Sequence, residues 1–176
     1  MLALILGNVF SFLSSACTAI SAVKKKKSDL IYWQIIDVTF FMFSSIFLSA
    51  YSAVITAIVA LLRNILSYKN KLNLKFTILL TIACIVIGVI VNNRGIFGIF
   101  AITATASYTV FMYTTKNAQQ MRYALVLNLS LWFMHNCYIQ AYPSAISEFI
   151  LVMWTLSQII RYHFSEKRPR KARKTS

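Results

Sequence analysis

Eight polar or ionisable side chains interrupt long apolar stretches of this sequence and are the first candidates for chemistry. They are Asp37, Arg63, Asn64, Asn128, His135, Asn136, Glu148 and Gln158. Because an ionised side chain inside hydrocarbon costs roughly 2.5–3.5 kcal/mol on insertion scales, such residues usually face a bundle interior or a water-filled cavity. The pattern predicts a polar substrate-binding pocket, with plain hydrogen bonding between helices as the alternative for the amides.

Positions within the apolar stretches predict two levels of polar groups. The inner level, nearer the predicted cytoplasmic side, holds Asn64, Asn128 and Gln158, and the outer level holds His135, Asn136 and Glu148. Asp37 lies between the levels, where a carboxyl group is expected to be either neutral or paired. Arg63 is its nearest partner in depth and the candidate for a structural ion pair, unless its side chain extends to the membrane surface instead.

Two tryptophans and one residue pair extend the predicted pocket. Trp132 and Trp154 lie near mid-depth, away from the interfaces where tryptophan anchors helices, so they are either cavity walls or lipid-facing bulk. His135 and Glu148 lie at similar depths on two stretches that are joined by a short turn. A contact between them could exchange protons with the outside, or it could be a structural hydrogen bond.

No pattern typical of an enzyme or a metal protein occurs in the sequence. It contains no P-loop, HExxH or GxSxG motif and only four glycines. Cys17, Cys84 and Cys137 lie far apart within apolar stretches, which is typical of small buried side chains and not of a zinc site or a disulfide framework. We therefore expect no catalytic residue, no cofactor and no bound metal.

Seven apolar stretches are the elements that must position these side chains. The chain of 176 residues is 59% hydrophobic and 12% charged, which is too apolar for one soluble core of this size. The stretches fall at 2–23, 30–49, 52–68, 74–91, 95–114, 122–140 and 144–162. A helix rising ~1.5 Å per residue crosses a ~30 Å hydrocarbon core in about twenty residues, so the sequence predicts an all-α membrane protein with seven transmembrane helices.

The distribution of basic residues predicts the orientation of the chain. Seventeen of the eighteen Lys and Arg residues fall in alternate connectors or near the C-terminus, and Arg94 is the exception. The positive-inside rule then puts the N-terminus outside and the C-terminus in the cytoplasm. The basic tail, residues 165–176, is expected to act as a topology signal or to bind anionic lipid. Because the basic residues do not form one solvated face, no nucleic-acid partner is expected.

An internal repeat relates the first three stretches to the last three. Ala50-Tyr51 matches Ala141-Tyr142 at an offset of 91, and residues 63–68 match residues 157–162 at an offset of 94, which aligns Asn64 with Gln158. The ends of the first and fifth stretches match at an offset of 92. Parallel three-helix units need an odd number of helices between them. The predicted bundle, residues 1–164, is therefore 3+1+3, with units at 1–68 and 95–164 and a linker helix at 74–91.

With these residues in view, the chain resembles the YgjV-type family of bacterial inner-membrane proteins. The resemblance rests on residues 60–67 (ALLRNILS), on residues 132–136 (WFMHN) followed by Glu148, and on residues 159–162 (IIRY), and it runs along most of the chain. It implies a bacterial inner-membrane location and a fold similar to the SWEET, PQ-loop and PnuC transporters. The chain departs from them in having no Pro-Gln dipeptide and no proline in its first and fifth stretches, so proline hinges are not implied.

Together these observations predict a small-solute transporter or permease-like protein with a polar pocket near mid-membrane, between the two three-helix units. The alternative is a non-transporting scaffold or regulatory membrane protein that acts through the bundle surface and the basic tail. The expected partners are the lipid bilayer, anionic lipid at the tail and an unidentified small solute. A homo-oligomer is compatible with either function.

Overall fold

In a computed structural model the described residues, 1–23, 27–114 and 118–167, form helices and no strands. The seven helices are α1 (Leu2–Val23), α2 (Lys27–Phe47), α3 (Tyr51–Tyr68), α4 (Leu74–Ile90), α5 (Gly95–Thr114), α6 (Ala118–Tyr138) and α7 (Tyr142–Lys167). Each lies on one of the predicted apolar stretches, so the all-α prediction is confirmed. Some of the basic residues behind the predicted orientation, residues 24–26, Lys116 and those of the basic tail from residue 168 onward, lie outside the described residues.

Four helices are long and apolar enough to cross a bilayer, judged by length and composition over the described residues. These segments are Leu2–Ser21, Tyr51–Tyr68, Gly95–Thr114 and Tyr142–Tyr162. Helices α2 and α4 carry shorter apolar segments, Ile31–Phe47 and Leu74–Ile90. Helix α6 contains Arg122, Asn128, His135 and Asn136, which lower its hydropathy. The crossing of all seven helices therefore stays a prediction.

Six of the helices form a closed ring in the order α1, α2, α3, α5, α6, α7, because each packs against the next and α7 packs against α1. Among the described residues, helix α4 packs against α3 and α5 only. Its Leu80 and Cys84 join Val59 and Ile102 in a buried cluster there. Gly88 permits this close approach, since a Cβ there would lie 2.9 Å from the side chain of Ile102. Helix α4 thus joins the group α1–α3 to the group α5–α7.

The α2–α3 and α6–α7 turns have the same backbone at an offset of 91 residues. Ser49 (φ 52°) and Gln140 (φ 64°) both adopt the left-handed conformation. In both turns the amide of this residue donates to the carbonyl three residues earlier, and the next amide donates to the carbonyl five residues earlier. This pair of bonds is the Schellman motif that ends many helices. Each turn therefore ends one helix and starts the next within three residues.

These two turns pack against each other through small apolar side chains. Leu48, Ala50, Ala53, Ile139 and Ala141 form one buried group, here called the turn cluster. Three of its members are alanines with no exposed surface, and small residues let helix backbones approach closely. The turn cluster therefore fastens the α2–α3 hairpin to the α6–α7 hairpin at one end of the ring.

The loop between α4 and α5 satisfies the backbone of the α2–α3 turn. Asn93 accepts a hydrogen bond from the Tyr51 amide at 3.2 Å and donates one to the Ser49 carbonyl at 2.6 Å. The guanidinium of Arg94 donates to the Leu48 carbonyl. These bonds leave fewer backbone groups without partners at the end of α2 and the start of α3.

Helix α1 has the corresponding role at the α6–α7 turn. Asn8 accepts from the Tyr142 amide at 3.1 Å, and the Ser11 hydroxyl bonds to the hydroxyl and the amide of Ser144 at 2.6 and 3.0 Å. The start of α1, both turns and the α4–α5 loop therefore share one end of the bundle, here called the turn end. Each helix carries the chain from one end of the bundle to the other.

Candidate functional site: a polar cavity inside the helix ring

A cavity of about 170 Å³ lies inside the ring, and all six ring helices contribute to its wall. Its ionisable lining residues are Asp37, Arg63, Tyr108 and Glu148. The volume resembles that of an engineered cavity of ~150 Å³ that holds benzene. The cavity therefore has room for a solute of a few heavy atoms or for several water molecules.

An aromatic pair closes the cavity toward the turn end. The rings of Phe41 and Trp132 meet edge to face with centroids 5.0 Å apart, a preferred geometry for aromatic side chains. Both rings line the cavity and both pack against the turn cluster. The aromatic pair and the turn cluster together separate the cavity from the turn end of the bundle.

Asp37 projects from α2 toward α1 at the cavity wall. The Ser14 hydroxyl donates to its Oδ1 at 2.5 Å, and Ser14 itself is buried. The hydroxyls of Ser15 and Thr18 on the same face of α1 also line the cavity. Helix α1 thus supplies a row of hydroxyl groups beside this carboxyl group.

Glu148 reaches the cavity from the second turn of α7. Asn136 of α6 donates from its Nδ2 to Glu148 Oε1 at 2.8 Å, and Asn136 is fully buried. Among the buried side-chain atoms that the structure describes, Glu148 Oε2, Asn136 Oδ1 and Gln34 Oε1 have no hydrogen-bond partner. Buried polar atoms are normally paired, so these oxygens are unused acceptors on two lining residues, Glu148 and Gln34, and on Asn136 beside Glu148.

His135 does not contact Glu148 as the sequence predicted. Its Nδ1 donates to the Phe97 carbonyl of α5 at 2.8 Å, and its ring packs edge to face against Trp132. Adjacent residues on a helix project about 100° apart. Asn136 therefore faces α7 and bonds to Glu148, whereas the fully buried His135 faces α5.

Arg63 is buried, with 6% of its surface exposed. Its Nε and Nη2 donate to Asn64 Oδ1 at 3.2 and 3.1 Å, and its Nη1 donates to Thr109 Oγ1 at 3.4 Å. The guanidinium also lies 5.1 Å from the ring centroid of Tyr108, within range of a cation–π interaction. It therefore does not extend to the membrane surface. The predicted ion pair with Asp37 is not formed, because Arg63 faces α5 whereas Asp37 faces α1.

The remaining predicted site residues divide into two sets. Asn64, Asn128 and Trp132 line the cavity. Trp154 is 62% exposed on the outer surface of α7, and Gln158 is outside the cavity lining. Both α3 and α7 continue unbroken from equivalent turns, so the offset of 91 persists along them and Asn64 corresponds to position 155, not to Gln158.

Sequence reasoning missed several cavity residues that carried a detectable signal. The hydroxyl residues of α1, Ser11, Ser14, Ser15 and Thr18, recur at helical spacing, which marks one polar face of an otherwise apolar helix. Ser15 and Thr18 line the cavity. Gln34 precedes Asp37 by three residues and lines the same cavity, as neighbours on one helix face do. Tyr108 carried no comparable signal, because tyrosine is also frequent at membrane interfaces.

The chemistry available here is binding by hydrogen bonds and charge. Two carboxyl groups, one guanidinium and several hydroxyl and amide groups surround a small cavity. The described residues contain no group of three or more His, Cys, Asp or Glu side chains that could hold a metal ion. The arrangement suits reversible recognition of a small polar solute.

Comparison with known proteins identifies one family. A family model described as a bacterial inner membrane protein, Imp-YgjV, matches residues 5–166. No curated protein and no solved structure gave a match. The matched range includes every residue that lines the cavity.

Proposed function

This chain belongs to the YgjV family of bacterial inner membrane proteins, and we propose that it is a permease that binds a small polar solute in the cavity inside the helix ring. The observation that carries the proposal is the cavity itself, which is polar and is lined by both three-helix groups. Transporter binding sites commonly lie between structural repeats near the bilayer midplane.

All seven helices cross the membrane in this proposal, with the N-terminus outside and the C-terminus in the cytoplasm. Its support is the up-and-down path of the chain, in which the start of α1, both turns and the α4–α5 loop share one end. Arg94 is the only Lys or Arg among the connectors at that end, as the positive-inside rule requires of an outer surface. Helix α6 can cross the bilayer despite its lower hydropathy, because its polar residues Asn128, His135 and Asn136 face the interior of the bundle and not lipid.

The two three-helix groups form a parallel repeat in this proposal, with α4 between them as in a 3+1+3 fold. Replacing α1, α2 and α3 by α5, α6 and α7 leaves the order of contacts around the ring unchanged. The matching backbone of the two turns gives independent support. Rocking of one group against the other about the turn cluster would expose the cavity to each side of the membrane in turn.

Reporter fusions test the topology directly. A cytoplasm-active reporter should work after Ser176 and a periplasm-active reporter should work after Tyr142. Activity of a periplasmic reporter at Ser176 or of a cytoplasmic reporter at Tyr142 would contradict the proposed orientation.

A cavity-filling variant tests the permease function. Ala57→Leu adds volume at a buried position in the cavity wall, so it should abolish the solute differences between cells that lack the protein and cells that overproduce it. Metabolite profiling of both strains gives the measurement, and Ala3→Leu, at an exposed position, is the matched control. Removal of residues 168–176 should leave these differences unchanged. Loss of the phenotype only on removal of the tail would favour a scaffold function instead.

A further inference from the structure

We infer that the solute of this cavity is a small organic cation with a protonated amine, held between Asp37 and Glu148. The inference rests on the proposed function only in taking the cavity as the solute site. It concerns the chemical class of the ligand, which is determined by the charges and the unused hydrogen-bonding atoms of the wall.

The unused hydrogen-bonding atoms at the cavity favour a donor. Glu148 Oε2 and Gln34 Oε1 are buried acceptors on lining residues, and Asn136 Oδ1 is a third beside Glu148; none has a partner within the described part of the chain. An ammonium group carries N–H donors and no acceptor. It could bond to these oxygens without leaving a polar atom of its own unpaired.

The charges of the wall favour a single positive charge on the ligand. Asp37 and Glu148 line the cavity together with Arg63. Buried charges are stable only when they are paired. A bound monovalent cation therefore allows both carboxyl groups to be ionised beside a protonated Arg63 without leaving an excess charge.

Arg63 is poorly placed to act as an anion site. Three of its N–H groups already donate to Asn64 and Thr109, and its guanidinium lies over Tyr108. A carboxylate ligand would have to compete with these contacts or use the N–H groups that remain. The arginine is therefore held by α3 and α5, whereas Glu148 Oε2 has no hydrogen-bond partner among the described residues.

The aromatic pair completes a site for a cation with a short apolar chain. Phe41 and Trp132 bound the cavity at the turn end, and aromatic rings attract cations within about 6 Å of the centroid. The volume of about 170 Å³ suits an amine of a few carbon atoms. Diamines with two charges would exceed the single negative charge that is available.

Equilibrium binding to the full chain in lipid nanodiscs tests the class. The probes are four molecules of similar length: n-butylammonium, n-butanol, butyrate and γ-aminobutyrate. Titration calorimetry, with empty nanodiscs as the blank, should give saturable binding of n-butylammonium at least about tenfold tighter than the others, because hydrogen bonds to charged groups are the strong ones. Preferential binding of butyrate or γ-aminobutyrate would overturn the inference, and so would the absence of binding of every probe to folded protein.

Isosteric variants connect this binding to the proposed residues. Glu148→Gln and Asp37→Asn should each weaken n-butylammonium binding by roughly tenfold or more, and Asp29→Asn, which changes an exposed carboxyl group on α2, should have no effect. Arg63→Gln should leave cation binding unchanged or make it tighter, since a repelling charge is removed. This variant guards against misfolding as an explanation, because a general loss of structure cannot tighten binding. Weaker cation binding in folded Arg63→Gln protein would contradict the charge argument.

Flux into proteoliposomes separates this inference from the permease proposal. Saturable binding of n-butylammonium without flux would support the cation site and overturn the permease. Flux of an anion or a zwitterion that Arg63→Gln abolishes would support the permease and overturn the cation site.

Discussion

The α2–α3 and α6–α7 turns share one backbone geometry, and the hairpins they belong to differ in the side chains that hold them. On α2 the Ser44 hydroxyl donates to the Gly7 carbonyl of α1 at 2.8 Å. At the position 91 residues later, His135 of α6 bonds to the Phe97 carbonyl of α5 at the same distance. A hydroxyl and an imidazole therefore make the same link between the second helix of a group and the first.

At the cavity wall the two hairpins differ in the charge of their side chains. Asp37 corresponds to Asn128 and Glu148 corresponds to Ala57, again at an offset of 91, and all four residues line the cavity. The two hairpins therefore match in backbone but contribute unequal charge to the cavity. In the proposed permease, this unequal lining would hold an asymmetric solute in one orientation.

The largest expected effect comes from overfilling the two turns. Ala50 and Ala141 have no exposed surface, so Ala50→Leu and Ala141→Leu should each lower the free energy of unfolding by about 1–3 kcal/mol through overpacking. Thermal unfolding in detergent gives the measurement, and Ala3→Leu is the lipid-facing control. A large effect at one turn and none at the other would show that the hairpins are not equivalent.

Between the side chains that hold each turn we expect a difference in stability of about 1 kcal/mol. Arg94→Gln removes a charge-assisted bond to the Leu48 carbonyl, which typically contributes about 1.5–3 kcal/mol. Asn8→Ala removes a neutral bond to the Tyr142 amide, which typically contributes about 0.5–1.5 kcal/mol. The same unfolding assay compares them, with Arg161→Gln at an exposed position as the charge control. Equal effects would mean that the positive charge of Arg94 adds nothing at this turn.

The smallest effects are expected where α1 meets α7. The Ser11 hydroxyl makes two bonds to Ser144. A buried alanine, Ala53, lies 91 residues before Ser144, and another, Ala101, lies 90 residues after Ser11, the same separation as that between Gly7 and Phe97. Ser144→Ala should cost ~0.6 kcal/mol, and Ser11→Ala should cost more, up to ~1.7 kcal/mol, because it also leaves an amide without its acceptor. Thermal unfolding of the parent and the two variants under the same conditions gives the order of the two effects. A reversed order would mean that the bond between the hydroxyls matters more than the bond to the amide.

Most of the helical framework could be predicted from the sequence, because in a bilayer the length of an apolar stretch nearly determines the helix. The predicted stretch 74–91 corresponds to α4, Leu74–Ile90, and the predicted stretch 95–114 corresponds to α5, Gly95–Thr114. Backbone groups cannot remain unpaired in hydrocarbon, so few alternatives to a helix exist. The boundary that differed most was the end of α7, which continues to Lys167 through polar residues that carry no apolar signal.

The side-chain partners at the site could not be predicted, because depth along a helix does not determine direction around it. His135 and Glu148 lie at similar depths, but it is Asn136 that faces α7 and forms the hydrogen bond to Glu148. Depth also suggested a cavity role for Trp154, whose side chain faces outward. Direction depends on the rotation of each helix in the ring, which packing between helices determines and a single sequence does not report.

The contacts of Arg63 have a consequence for the order in which the chain is made. Tyr108 and Thr109, which hold its guanidinium, belong to α5, so they leave the ribosome some forty-five residues after Arg63. Until then α3 carries a cation whose release into lipid would cost roughly 2.5–3.5 kcal/mol. In the proposed seven-span topology, retention of α3 beside the insertion machinery until α5 has been made would avoid this cost.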